Sequence, residues 1–151
     1  METLVEKKVK TMTVEMKRVD NAFHFEALGG DKIVTHIDAA AAIGGSNAGT
    51  RPMELILMGL GSCAAIDIIL ILNKMKQEVS DFRIVIEGQR DAVAVPAPFE
   101  AIEVHFILRG DNLVQKKVEQ AVKLGMEKYC SVSAMLEKSA TITWIAEIES
   151  A

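Results

Sequence analysis

Cys63 and Cys130, 67 residues apart, are the residues of this chain best suited to covalent chemistry. A thiolate is a nucleophile and a reductant, and a pair of thiols can pass through a sulfenic acid to a disulfide and back. Each also has an ordinary reading, because free cysteine is among the most buried residue types and packs as a small hydrophobe. Gly59, Gly61 and Ser62 leave room for another group to approach Cys63. Asp67 follows four residues later, on the same face of a helix, and a neighbouring carboxylate opposes thiolate formation. A reactive Cys63 therefore needs a compensating cation, supplied by Arg51 or by an arginine from elsewhere. Cys130 precedes Ser131-Val132-Ser133, at the start of a short helix, where backbone N–H groups and the helix dipole favour a thiolate. Its ordinary reading is a helix-junction residue packed with Tyr129. The two cysteines share one setting: each has a serine neighbour and lies within or beside one of two helices.

The helix that must carry Cys63 is Arg51–Leu72, the longest apolar run in the chain. From Leu55 to Leu72 its only charge is Asp67. A segment apolar all round is a membrane span or a helix buried on every side. An intramembrane acid is costly, no second apolar run accompanies this one, and both flanks read as soluble strand-rich sequence, so a buried helix is expected. Covering every face takes more than one small sheet, which points to a second subunit.

Around it, Val9–Val19 alternates as a strand, Ala22–Leu28 pairs back after the Asp20-Asn21 turn, and Lys32–Asp38 follows Gly29-Gly30-Asp31. Ala39–Thr50 is small and flexible and leads to Pro52, a favoured first-turn residue, and Glu54, matched to the helix dipole. The helix is expected to run to about Gln77. Arg83–Asp91 and Phe99–Arg109 are strands, separated by a loop with Pro96 and Pro98. Leu113–Tyr129 has helical spacing, a short helix follows Cys130, and Thr141–Ile148 is a last strand. The whole reads as one α+β domain over residues 1–151 with a largely antiparallel sheet. Its parts are N-terminal strands 9–38, central helix 52–77, strands 81–109, second helix 113–129, and a short helix and final strand within 131–148.

Composition bounds the function. Half of the 151 residues are hydrophobic and a quarter charged, an ordinary globular balance. A net charge of −4 gives no electrostatic reason for a nucleic-acid or anionic-membrane partner. His24, His36 and His105 sit in separate segments and there is no CxxC, so no metal is expected. Two distant cysteines make no secreted disulfide framework, and METLVEKKVK has no apolar signal core, so a cytoplasmic protein with reduced thiols is expected.

Pro52-Met53-Glu54-Leu55, then Gly61-Ser62-Cys63, then Tyr129-Cys130-Ser131-Val132-Ser133 resemble the two motifs of the OsmC/Ohr family of thiol peroxidases, and the small OsmC-like branch in particular. The resemblance covers nearly the whole chain. It implies an intertwined homodimer, with antiparallel sheets around two long central helices, and organic hydroperoxide reduction at the subunit interface. By motif position Cys63 is the peroxidatic cysteine and Cys130 the resolving one. It implies no bound cofactor, only an external dithiol reductant such as a dihydrolipoyl group. In peroxidase branches the acid directly follows the proline and holds an arginine against the thiolate. Here Met53 takes that place and Glu54 comes one residue later, about 180° round a helix from Cys63. Arg51 and Arg18 are the candidate arginines. Ser131 stands where the family usually has proline. Two functions follow: a stress-defence hydroperoxide reductase using Cys63, Cys130, Glu54 and Arg51, or a non-catalytic protein binding a small apolar molecule in the dimer-interface pocket.

Overall fold

The computed structural model describes residues 6–150, and the chain divides into two compact units, residues 1–55 and 56–151.

In the first unit, β1 (Glu15–Arg18), β2 (Phe25–Leu28) and β3 (Val34–Ile37) form an antiparallel sheet in that order. The turn between β1 and β2 is built by Asp20, whose carboxylate accepts N–H bonds from Ala22 at 2.9 Å and His24 at 3.1 Å. Register sets the length of β1. Glu15 pairs with Leu28, the last residue of β2, and the glycine turn begins directly after it. Residues 9–14 therefore have no strand left to pair with in this sheet, and the strand expected from Val9 starts only at Glu15. Val9, Met12 and Val14 are left exposed.

The Ala39–Thr50 segment is more ordered than its composition promises. It makes a 3₁₀ turn at Ala41–Ile43, and Gly44 takes a φ of 102°, where a side chain would be strained. Asp38, only 1% exposed, organises the segment. Its carboxylate accepts N–H bonds from Ala39 (2.7 Å), Ser46 (3.0 Å) and Ala48 (3.0 Å). Those bonds hold its carboxyl below the usual range, the Ala48 N–H most of all.

Helix α1 spans Pro52–Lys74 and carries on through the second unit. It stops three residues earlier than expected. Lys76 adopts a left-handed φ of 55°, Lys76 N–H donates to Asn73 O, and Gln77 N–H donates to Leu72 O. This is a Schellman end, with a lysine where glycine is usual. Gln77 is buried there, its side-chain oxygen accepting the Val114 N–H at 2.8 Å.

The second unit is a sheet in the order β4-β5-β6, with β4 at Asp81–Arg90, β5 at Phe99–Arg109 and β6 at Thr141–Ile148. β4 and β5 form an antiparallel hairpin, but β6 runs parallel to β5, from Ala101↔Thr141 to Leu108↔Ile148. A parallel neighbour needs a crossover, and the helical segment between β5 and β6 provides it. The expected Leu113–Tyr129 helix is split into α2 (Gln115–Leu124) and a wider π-helical turn (Gly125–Tyr129), before α3 (Ser131–Leu136).

Within this unit α1 buries Leu60, Ala64, Ile68 and Leu72 at four-residue spacing, with Gly61 beside them. Gly61 lies against β4, where a Cβ would stand 2.5 Å from Ile86 Cδ1. Ile102, Val104, Phe106 and Leu108 of β5 and Val118 and Val122 of α2 complete the core, each worth about 1.5–3 kcal/mol of transfer free energy. Burial on every side is not what the chain provides: Met58, Ile66 and Leu70 are 52, 62 and 55% exposed. One sheet covers one stripe.

Candidate thiol site

Cys63 is half-buried on α1, one residue before Ala64 of the packed stripe. Cys130 joins the π-helical turn to α3 and is 3% exposed. Its N–H closes the turn on Gly125 O at 2.8 Å, and its carbonyl accepts the Ala134 N–H as the cap of α3. Its sulfur accepts the Ser133 N–H at 3.3 Å and sits 3.9 Å from Leu60 O, to which the thiol donates.

Gly125 is what lets these segments meet. A Cβ there would stand 2.5 Å from Ile68 Cγ1 and 3.3 Å from the carbonyl oxygen of Ala64. The bare backbone at 125 therefore lies directly on α1, and five residues later the chain delivers Cys130 beside Leu60 and Cys63.

Burial dominates the electrostatics of Cys130. It pushes the Cys130 thiol up to about 11, and the neighbouring Cys63 adds to the rise. The Ser133 and Val132 N–H groups pull the other way. The expectation that a helix start would favour a Cys130 thiolate is thus half right. The amides are there, but desolvation outweighs them. Both cysteines are free thiols.

The structure brings together two of the four candidate residues. Arg51 and Glu54 belong to the first unit. Arg51 ties its own loop, donating to Gly49 O at 2.9 Å, to Asp38 O at 3.4 Å and to Asn47 Oδ1. Glu54 is exposed in the first turn of α1, and among the described residues it makes no ion pair, nor does Arg18 at the end of β1. Sequence reasoning anticipated N–H groups at the start of α3 but missed the Leu60 carbonyl, a backbone partner that no side-chain pattern announces. It also counted Gly125 as one more helical position, although a glycine inside a helical pattern signals a close backbone approach.

Two sheets with helices and a buried thiol beside a half-buried one define a small α+β protein built around a dithiol centre. The model of the family described as OsmC-like protein matches residues 44–145, and the chain belongs to that family. It is 44% identical over 100 residues to Protein YhfA of Escherichia coli K12, a match covering 66% of this chain and 74% of that one. A hypothetical protein from Aquifex aeolicus VF5 superposes with a TM-score of 0.77 at 34% identity, covering 93% of this chain and 99% of the other. An organic hydroperoxide resistance protein OsmC from Legionella pneumophila shares the fold, with a TM-score of 0.67 at 18% identity and coverage of 95 and 99%.

Proposed function

We propose that the protein is a cytoplasmic, homodimeric thiol peroxidase of stress defence, reducing organic hydroperoxides through Cys63 and Cys130. The observation that carries this reading is the pairing of an accessible and a buried thiol. Cys130 is shut away and held protonated at neutral pH, so Cys63 is the sulfur that meets the peroxide. The Cys63 thiolate attacks the O–O bond, becoming a sulfenic acid as the alkoxide takes up a proton and leaves as alcohol. Cys63 then carries no charge, which removes its electrostatic contribution to the raised Cys130 thiol. Cys130 gives up its proton and attacks the sulfenic sulfur, forming the disulfide and water. An external dithiol, dihydrolipoyl or similar, returns both thiols and is itself oxidised to a disulfide. No bound cofactor enters the cycle.

Cumene hydroperoxide added in stoichiometric amount is expected to remove both free thiols of each chain. Cys63→Ser abolishes this, and Cys130→Ser stops at a sulfenic acid that a dimedone probe captures. Survival of both thiols in excess peroxide at neutral pH rejects the peroxidase.

A second reading is supported by Arg51 being engaged with its own loop and Glu54 standing without an ionic partner. Under it the protein lacks the family's thiolate-activating pair and binds a small apolar molecule without turning it over. Native mass spectrometry that finds neither a retained molecule nor affinity for lipid-like compounds counts against it.

A further inference from the structure

His24 and His36 are twelve residues apart in the chain, yet the first sheet brings their rings together. His24 directly precedes β2, and its carbonyl accepts the Val19 N–H at 2.9 Å, which carries the β1–β2 hairpin one pair past Phe25. Side chains two apart on a strand share a face, so His24 lies on the face of Glu26, and Glu26 pairs with His36 of β3. The two histidines are therefore diagonal neighbours across the strands, within reach of long side chains. Their nitrogens meet: His24 Nε2 is 2.9 Å from His36 Nδ1, with ring centroids 5.1 Å apart. Separation along the chain hides this, because only the β2–β3 register puts the rings side by side.

The ordinary role of such a contact is a surface hydrogen bond, worth about 0.5–1.5 kcal/mol. That bond places one proton between two ring nitrogens, each of which can ligate a metal from the neutral ring. The spacing also fits an ion. Two nitrogens bound at about 2.0–2.1 Å stand about 2.9 Å apart at a right angle and about 3.3 Å apart at the tetrahedral angle. The observed 2.9 Å is the right-angle value, which belongs to square-planar and octahedral ions. His36 is exposed and His24 half-buried, so both rings have room to turn until their lone pairs converge on one ion.

We infer that His24 Nε2 and His36 Nδ1 chelate a late first-row divalent transition-metal ion, Ni(II) or Cu(II). The ion takes the place of the shared proton, which moves to the outer nitrogen of its own ring. Both imidazoles stay neutral, and no electron is transferred. Among the described residues no three histidine, cysteine or carboxylate groups converge, so water completes the coordination. Glu26, opposite His36, favours a cation, and Lys17, opposite Glu26 on β1, opposes one. Both cysteines lie in the second unit, so the inference does not depend on the peroxidase reading.

Calorimetric titration of the intact, reduced protein with NiCl2 in a non-coordinating buffer is the test. Ni(II) is the probe because, unlike Cu(II), it does not oxidise thiols. One ion per chain is expected, undisturbed by excess Mg(II), which takes oxygen ligands. His24→Gln and His36→Gln should each weaken binding about tenfold or more, as loss of the second, intramolecular ligand implies. His105→Gln and blocking of the thiols with iodoacetamide should leave it unchanged. In the unmodified protein, substoichiometric Ni(II) should broaden the ring NMR signals of both His24 and His36, a readout that needs no variant to fold. The inference is overturned by an absence of saturable binding, by full affinity in either His→Gln variant, by loss of binding on thiol blocking, or by His24 and His36 signals that stay sharp.

Discussion

Replacing Gly125 by alanine tests whether backbone contact between the π-helical turn and α1 builds the thiol pair. Gly125 has φ −58° and ψ −51°, an ordinary right-handed conformation, so alanine meets no backbone strain there. On propensity alone the change should stabilise by about 1 kcal/mol. The added methyl, however, would stand 2.5 Å from Ile68 Cγ1 and 3.3 Å from Ala64 O. Ile68 is fully buried, with no free side on which to retreat. Overpacking of this kind costs about 1–3 kcal/mol, which leaves a net destabilisation of roughly 0–2 kcal/mol after the propensity gain. Urea denaturation of the reduced protein measures it. A double-mutant cycle isolates the contact, since Ile68→Ala alone should cost about 2–5 kcal/mol but should accommodate the new methyl when combined with Gly125→Ala. The coupling is expected to be favourable by about 1 kcal/mol or more. The variant should also form the Cys63–Cys130 disulfide more slowly with peroxide, because the turn that carries Cys130 has been pushed off α1. A Gly125→Ala protein about 1 kcal/mol more stable than the original, additive with Ile68→Ala and unchanged in disulfide formation, would refute the reasoning.

Three further outcomes are expected. Burial favours the neutral Cys130 thiol, so its contribution to stability is complete below about 9 and is lost as pH rises through about 11. Denaturation midpoints across that range should fall, and Cys130→Ser should flatten the fall. Asp38→Asn replaces a carboxylate that accepts three N–H groups with an amide, so hydrogen exchange at Ser46 and Ala48 should quicken. Because its pKa is depressed, the Asp38 contribution is present above 3.8 and is lost as pH falls below that value, which the same exchange measurement followed with pH will detect. Sedimentation equilibrium should give twice the 16.5 kDa chain mass; a monomer at micromolar concentration would remove the subunit-interface site from the proposal.

What the sequence revealed and what it hid follow from the range of the interactions. Phe99–Arg109 and Thr141–Ile148 were legible to the residue, because their apolar pattern and flanking turns are local signals. The end of α1 was not, since a left-handed lysine at position 76 carries no mark of its own. The direction of β6 was hidden too: alternation is the same for a parallel and an antiparallel strand, and only the crossover through α2 decides. At the site, the residue types and spacing of Cys63 and Cys130 were readable. Which of them would be desolvated was not, because that depends on Leu60, Gly125 and Ser133 meeting from three segments.

Two of the remaining mismatches have the same form. In the first unit, residues 9–14 alternate as a strand should, yet β2 ends before it can pair with them. In the second, α1 is apolar all round, yet one sheet covers only the stripe from Leu60 to Leu72. Neither pattern is an error of local reading, since each segment has the composition of something paired or covered. What each lacks is a second surface, and under the proposed homodimer another copy of the chain supplies it. Exposed β-prone sequence and a bare apolar helix face are aggregation hazards unless a partner takes them up. The proposed homodimer is the arrangement under which Val9, Met12, Val14, Met58, Ile66 and Leu70 would all have a reason to be apolar.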